Sequence, residues 1–149
     1  MYKRILVAVD GSETSNLALK EAIKLAKDQH AALRLIHVVD ETPAYMMTEA
    51  PYSIEQYQKT MREAARKELA ACAAKAKAAR VKFDTKFIVN NDLAQRIADV
   101  INKQAKRWPA DLIVIGTHGR RGASRLFLGS VAEGVIRLAA KPVLAIHAR

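Results

Sequence analysis

The sequence predicts an α/β fold: a single doubly wound parallel sheet of five strands with helices on both faces. Three observations predict it. Short apolar runs alternate with longer stretches of helical periodicity along the whole chain, the pattern of a parallel sheet covered by helices. A length of 149 residues suits one domain with a buried core, expected to span 1–149. No internal repeat or low-complexity linker divides the chain.

Residues 4–9, RILVAV, form a β-branched run of the kind buried on both faces, the first strand. DGSE ends it, and Ser12 is placed to cap a helix from Glu13 to Asp28, where Ala18, Leu19, Ala22, Ile23 and Ala26 recur at helical spacing. LRLIHVV (33–39) is the second strand. The stretch 40–53, with Pro43, Pro51 and the cluster Tyr45 to Met47, reads as irregular, either a lid or a connection. Residues 54–80 are rich in Ala, Lys, Arg and Glu and predict a long helix.

VKFDTKFIV (81–89) is the third strand, and Asp92 is expected to cap a helix from Leu93 to about Arg107, closed off by Pro109. DLIVIGT (111–117) is the fourth strand, SVAEGVIRLAA (130–140) the last helix, and PVLAIHA (142–148) the fifth strand. In such sheets a ligand binds beyond the carboxyl ends of the strands, where the winding reverses. With the order 3-2-1-4-5 that crevice opens between the first and fourth strands. Asp10 ends the first and Gly116 the fourth, so two unusual features meet at one place.

Between the fourth strand and the last helix lies GTHGRRGASRLFLGS (116–130), with three glycines in its first seven residues and three arginines. Glycine allows backbone N–H groups to turn toward one point without a β-carbon in the way. Gly129 and Ser130 open a helix, whose free N–H groups and dipole favour an anion. The Ser130 hydroxyl is expected to serve as cap and phosphate donor, with Arg120, Arg121 and Arg125 adding charge. The P-loop is excluded because no Gly-Lys pair occurs, and the dinucleotide fingerprint because no Gly-x-Gly occurs.

This stretch resembles the Gly-x-x-Gly, nine residues, Gly-Ser/Thr motif of the universal stress protein family, in its ATP-binding branch. Gly116, Gly119, Gly129 and Ser130 match with the nine-residue gap from Arg120 to Leu128. ILVAVDGSETS, LIHVVDE and KPVLAIHAR resemble the family's first, second and last strands, so the resemblance covers essentially the whole chain. It implies strand order 3-2-1-4-5 (the adenine nucleotide alpha hydrolase-like fold), ATP with Mg as ligand, and a homodimer. By position it implies Asp10 near the ribose or a phosphate-bound Mg, and Val38 facing adenine through its backbone. Ala8, Val9 and Ile115 then line base and ribose, while Gly116, Gly119, Gly129, Ser130 and Val131 hold ribose and phosphates. NND (90–92) departs from the family's usual Gly, and Asn is expected to make a similar turn because it tolerates positive φ.

Lys and Arg number 25 against 15 Asp and Glu, a formal charge of +10. No acid occurs between Asp111 and Glu133. The lone Cys72 has no disulfide partner within the chain, which suggests a reducing, cytoplasmic setting. The first apolar run stops at Asp10, too short for a signal peptide, and no membrane span is expected. His30, His37, His118 and His147 show no metal-ligand spacing. The fifth strand is expected to be an edge that pairs with a second copy through 142–148. The favoured function is an ATP-binding stress-response or signalling module. A slow ATP hydrolase is one alternative, with Asp10 the obvious acid. A nucleic-acid-associated protein is the other, less favoured because the aromatics are few and none interleaves with the loop arginines.

Overall fold

The computed structural model describes residues 1–46, 53–118 and 128–148. Five parallel strands, β1 (Arg4–Ala8), β2 (Ala32–Asp40), β3 (Phe83–Asn90), β4 (Leu112–Gly116) and β5 (Val143–Ile146), form one sheet in the order β3-β2-β1-β4-β5. The helices are α1 (Glu13–Gln29), α2 (Ile54–Ala78), α3 (Ile97–Arg107) and α4 (Ser130–Leu138), with one short 3-10 turn at Thr42–Met46. The expected fold and strand order are those observed.

Alternation along the strands sorts the core into two layers. Ile5, Val7, Leu33, Leu35, Leu112 and Val114 pack with Ala18, Leu19 and Ala22 of α1 and Leu69 and Cys72 of α2. Leu6, Ile36, Ile113 and Ile115 face the other way, against Ala98 and Ile101 of α3 and Ala132 and Val135 of α4. The register Ile5↔Leu112 and Leu6↔Ile113 keeps like-facing residues side by side. Slipping it by one residue would exchange the two layers, so the register is strongly fixed.

Three sequence expectations are corrected. The third helix begins at Ile97 rather than Leu93, with Arg96 as its N-cap residue. Asp92 instead closes a local turn: its Oδ1 accepts the Ala94 N–H at 2.9 Å and its carbonyl accepts the Gln95 N–H at 3.0 Å. The NND turn uses no left-handed residue, since the positive φ angles among the described residues lie at Gly11, His30 and Arg80. Asn90 makes the turn with its side chain, donating to Gln95 O at 2.8 Å and to Asp40 Oδ1 at 3.3 Å. Ser130 is not the cap of α4; Gly129 holds that position. Of the possible lid, Tyr45 is exposed and Met47 lies outside the described residues.

Candidate nucleotide site at the β1 and β4 exits

Asp10 follows β1 and turns the chain into α1. Its N–H donates to Ser15 Oγ at 3.0 Å, and its Oδ1 accepts the Ser12 N–H at 2.9 Å. Gly11 sits between them at φ +79, a conformation that favours glycine. A side chain there would also meet the Glu68 carboxyl, whose carbon lies 2.9 Å from the position of a β-carbon. Glu68 itself is held by His37 on β2, Nε2 to Oε2 2.9 Å. Ser12 caps α1 as expected, its Oγ accepting the Ser15 N–H at 3.2 Å. Asp10 is therefore fixed at the crevice by its own turn.

The β4 exit is pressed against that turn. A β-carbon on Gly116 would lie 2.6 Å from Thr14 Oγ1 and 2.8 Å from the Ser15 nitrogen. Most of that obstruction is helix backbone, so glycine is required here for packing as well as for any ligand. Thr14 Oγ1 donates to the His118 carbonyl, and Ser12 Oγ donates to the same oxygen at 3.3 Å. Thr117 is buried; its N–H donates to Ile146 O at 2.9 Å and its carbonyl accepts the Gly129 N–H at 2.7 Å. The two ends of the glycine segment are thus joined, and α4 opens beside β4. Gly129 supplies no side-chain cap, so the first N–H groups of α4 have no partner within the helix or its cap residue.

Ala8, Val38, Ile115 and Val131 come together on the α3/α4 side of the sheet, an apolar wall next to the crevice. Val9 points the opposite way, into the α1/α2 layer, and its N–H is bound to Ile36 O at 2.9 Å. Gly119 and Arg120, with Arg121 and Arg125, lie outside the described residues. Sequence reasoning missed the buried hydroxyls Thr14, which joins the two exits, Ser15, which holds the Asp10 turn, and Thr117, which meets His118 and His147. Their signal was present as small hydroxyl residues clustered after both strands, in GSETS and GTH.

The histidines split as follows. His37 is buried in β2, whereas His147 lies past the end of β5 and is exposed. His118 and His147 both approach Thr117 Oγ1 through Nδ1, at 2.9 and 3.3 Å. Among the described residues no group of three or more His, Cys, Asp or Glu is arranged to hold a metal. Burial pushes the Cys72 thiol up; Lys75 opposes the shift and the charge of Asp10 adds to it. A neutral, inert thiol follows.

Comparison with known proteins agrees with this geometry. The sequence profile of the universal stress protein family matches residues 1–147. A universal stress protein of Methanocaldococcus jannaschii is 36% identical over 146 residues, covering 98% of this chain and 82% of that protein. A crystal structure of a universal stress protein family member from Burkholderia pseudomallei superposes with a TM-score of 0.78 at 34% identity, covering 99% of this chain and 97% of the other. The structure of the universal stress protein from Archaeoglobus fulgidus in complex with dAMP gives 0.67 at 26% identity, covering 97% and 98%. No described helix is long and apolar enough to cross a membrane. With its profile, its relatives and its strand order in agreement, the chain belongs to the universal stress protein family.

Proposed function

We propose that the chain is a cytoplasmic ATP-binding module, one nucleotide-binding unit over residues 1–149, which signals through nucleotide occupancy. The observation that supports this best is the uncapped amino end of α4 opening beside Asp10's turn. An anion there would satisfy the N–H groups that Gly129 leaves uncovered. The residues present fit an adenine nucleotide. Ala8, Ile115 and the Val9 backbone would line base and ribose, and the Val38 backbone would meet adenine. Gly116, Gly119, Gly129, Ser130 and Val131 would hold ribose and phosphates, and Arg120 would add charge. Mg bound to the phosphates would lower the repulsion between them and Asp10. The dAMP complex of the Archaeoglobus fulgidus relative supports the adenine class.

Two further features belong to this reading. Among the described residues β5 pairs with β4 alone and is an edge of apolar residues, and Ile136 and Leu138 of α4 are exposed. This supports a homodimer through residues 142–148. The buried, unpaired thiol of Cys72 supports a cytoplasmic location. ATP with Mg at a hundredfold excess over its dissociation constant should raise stability by about 2.7 kcal/mol. Thermal unfolding in millimolar ATP and Mg checks this, and an unmoved transition overturns the ATP reading.

A further inference from the structure

All five strands are parallel, so the carboxyl ends of the helices gather at the amino rim of the sheet, opposite the β1 and β4 exits. The helices open on acids and close on bases. Glu13, Glu55, Asp99 and Glu133 occupy the first turns of the four helices. Lys27, Lys77, Lys106 and Arg107 occupy last turns, where the helix dipole favours cations. The dipole does not account for the strand starts. Lys3 and Arg4 begin the first strand, Lys82 precedes β3 and Lys141 precedes β5. Backbone bonds place these on one rim: Ala32 N–H donates to Lys3 O, Leu33 N–H to Lys82 O, Asp111 N–H to Arg4 O, and Ile113 N–H to Pro142 O, next to Lys141.

These cations are exposed and available. Among the described residues none of Lys3, Lys27, Lys77, Lys82, Lys106 and Lys141 has a carboxylate within 4.0 Å. Of the acids at this end Asp84 is offset by Arg34, while Asp111 stays ionised and faces Arg4 and Lys141. Asp111 accepts the N–H groups of Lys3 and Arg4 at 2.8 Å each, and Asp84 is paired with Arg34 at 2.6 Å. Asp28 adds one negative charge beside Lys27.

We infer that the amino rim binds double-stranded nucleic acid through its phosphates, without reading sequence. Five strands ~4.8 Å apart make a rim about 20 Å across. That length matches about six base-pair steps of duplex, with regularly spaced negative charge along each strand. A nucleic-acid partner was disfavoured above because a single-strand groove needs open aromatic platforms; a duplex backbone needs none. The rings at this end are in fact engaged. Tyr2 and Phe83 pack against the core, and the Arg34 guanidinium covers the Trp108 ring at 4.6 Å. Among the described residues no ring at this end is open to an unpaired base, which favours duplex over single strand. A bilayer would match the charge, but Met1 and Leu138 are the large apolar side chains exposed toward this end, too few for an inserting face. The inference does not rest on the nucleotide site.

The test is fluorescence anisotropy of a 20-base-pair DNA duplex of arbitrary sequence with the full chain. Affinity should fall about 100-fold between 50 and 200 mM KCl if about four phosphates are neutralised. The triple variant Lys3→Glu, Lys82→Glu, Lys141→Glu should bind more than about tenfold more weakly than the parent. Lys20→Glu, Lys59→Glu, Lys67→Glu has the same net charge but alters α1 and α2 away from the rim, and should stay within about threefold of the parent. Circular dichroism establishes that both variants are folded. Equal weakening by the two triples, no binding at 50 mM KCl, tighter binding of a single strand, or binding of phosphatidylserine vesicles in preference to duplex each overturns the inference.

Discussion

Helices α1 and α4 both open at the carboxyl end of the sheet beside the same crevice, yet their amino ends are built differently. α1 is closed by its own sequence: Ser12 Oγ takes the Ser15 N–H, and Asp10 Oδ1 takes the Ser12 N–H. At α4 the corresponding position is Gly129, which brings no side chain and spends its N–H on Thr117 O. A helix end that could have been capped by one hydroxyl has been left open, at a cost of a few tenths of a kcal/mol relative to Ser or Asp. The first helix is a fixed wall, and the last keeps an amino end without a side-chain cap.

The largest expected effect comes from breaking the wall. Gly116→Ala places a β-carbon against the backbone of Thr14 and Ser15 and should cost about 2–3 kcal/mol, read from urea denaturation. Unchanged stability would mean that α1 does not press on β4. A smaller effect should come from closing the open helix. Gly129 has φ −62 and ψ 152, which any residue adopts, so Gly129→Asp needs no backbone change. The new carboxylate should stabilise the ligand-free protein by about 0.5 kcal/mol while weakening ATP at least about tenfold. Gain of stability with ATP affinity retained would show that α4 is not the anion end.

The smallest effect belongs to the opposite rim and serves as the reference. The backbone N–H of Lys3, followed by that of Arg4, holds the Asp111 carboxyl below the usual carboxylate range, with burial opposing. A group depressed in the folded state stabilises above its unfolded pKa, about 3.9, and the contribution is lost as pH falls through the lower folded value. Asp111→Asn should therefore cost about 0.5 kcal/mol or less at neutral pH and flatten the acid side of the stability profile. It should leave the ATP-dependent shift unchanged. A change in that shift would couple the two ends and blur the comparison.

The layer structure was legible because alternating apolar runs report which elements are buried. The meeting of Asp10 and Gly116 was legible because parallel topology brings strand exits together. Other features depend on contacts no local pattern carries. Asp92 has the residue type of a helix cap, but its own Asx turn satisfies it five residues before the helix begins. Gly116 reads locally as loop flexibility, whereas its tightest neighbours are Thr14 and Ser15, about a hundred residues away in sequence. Ser130 looks like a cap because of its hydroxyl; the Gly129 to Thr117 bond shifts that position back by one. The carboxyl end of β5 also falls short of the expected strand, since pairing with β4 finishes at Gly116↔Ile146.

The bond from Gly129 N–H to Thr117 O has a consequence for how such a protein can diversify. It fixes both stems of the intervening segment to a strand and a helix that the sheet and core position. Exchanges between those stems leave the anchors themselves untouched, so the scaffold and the segment it carries can vary independently.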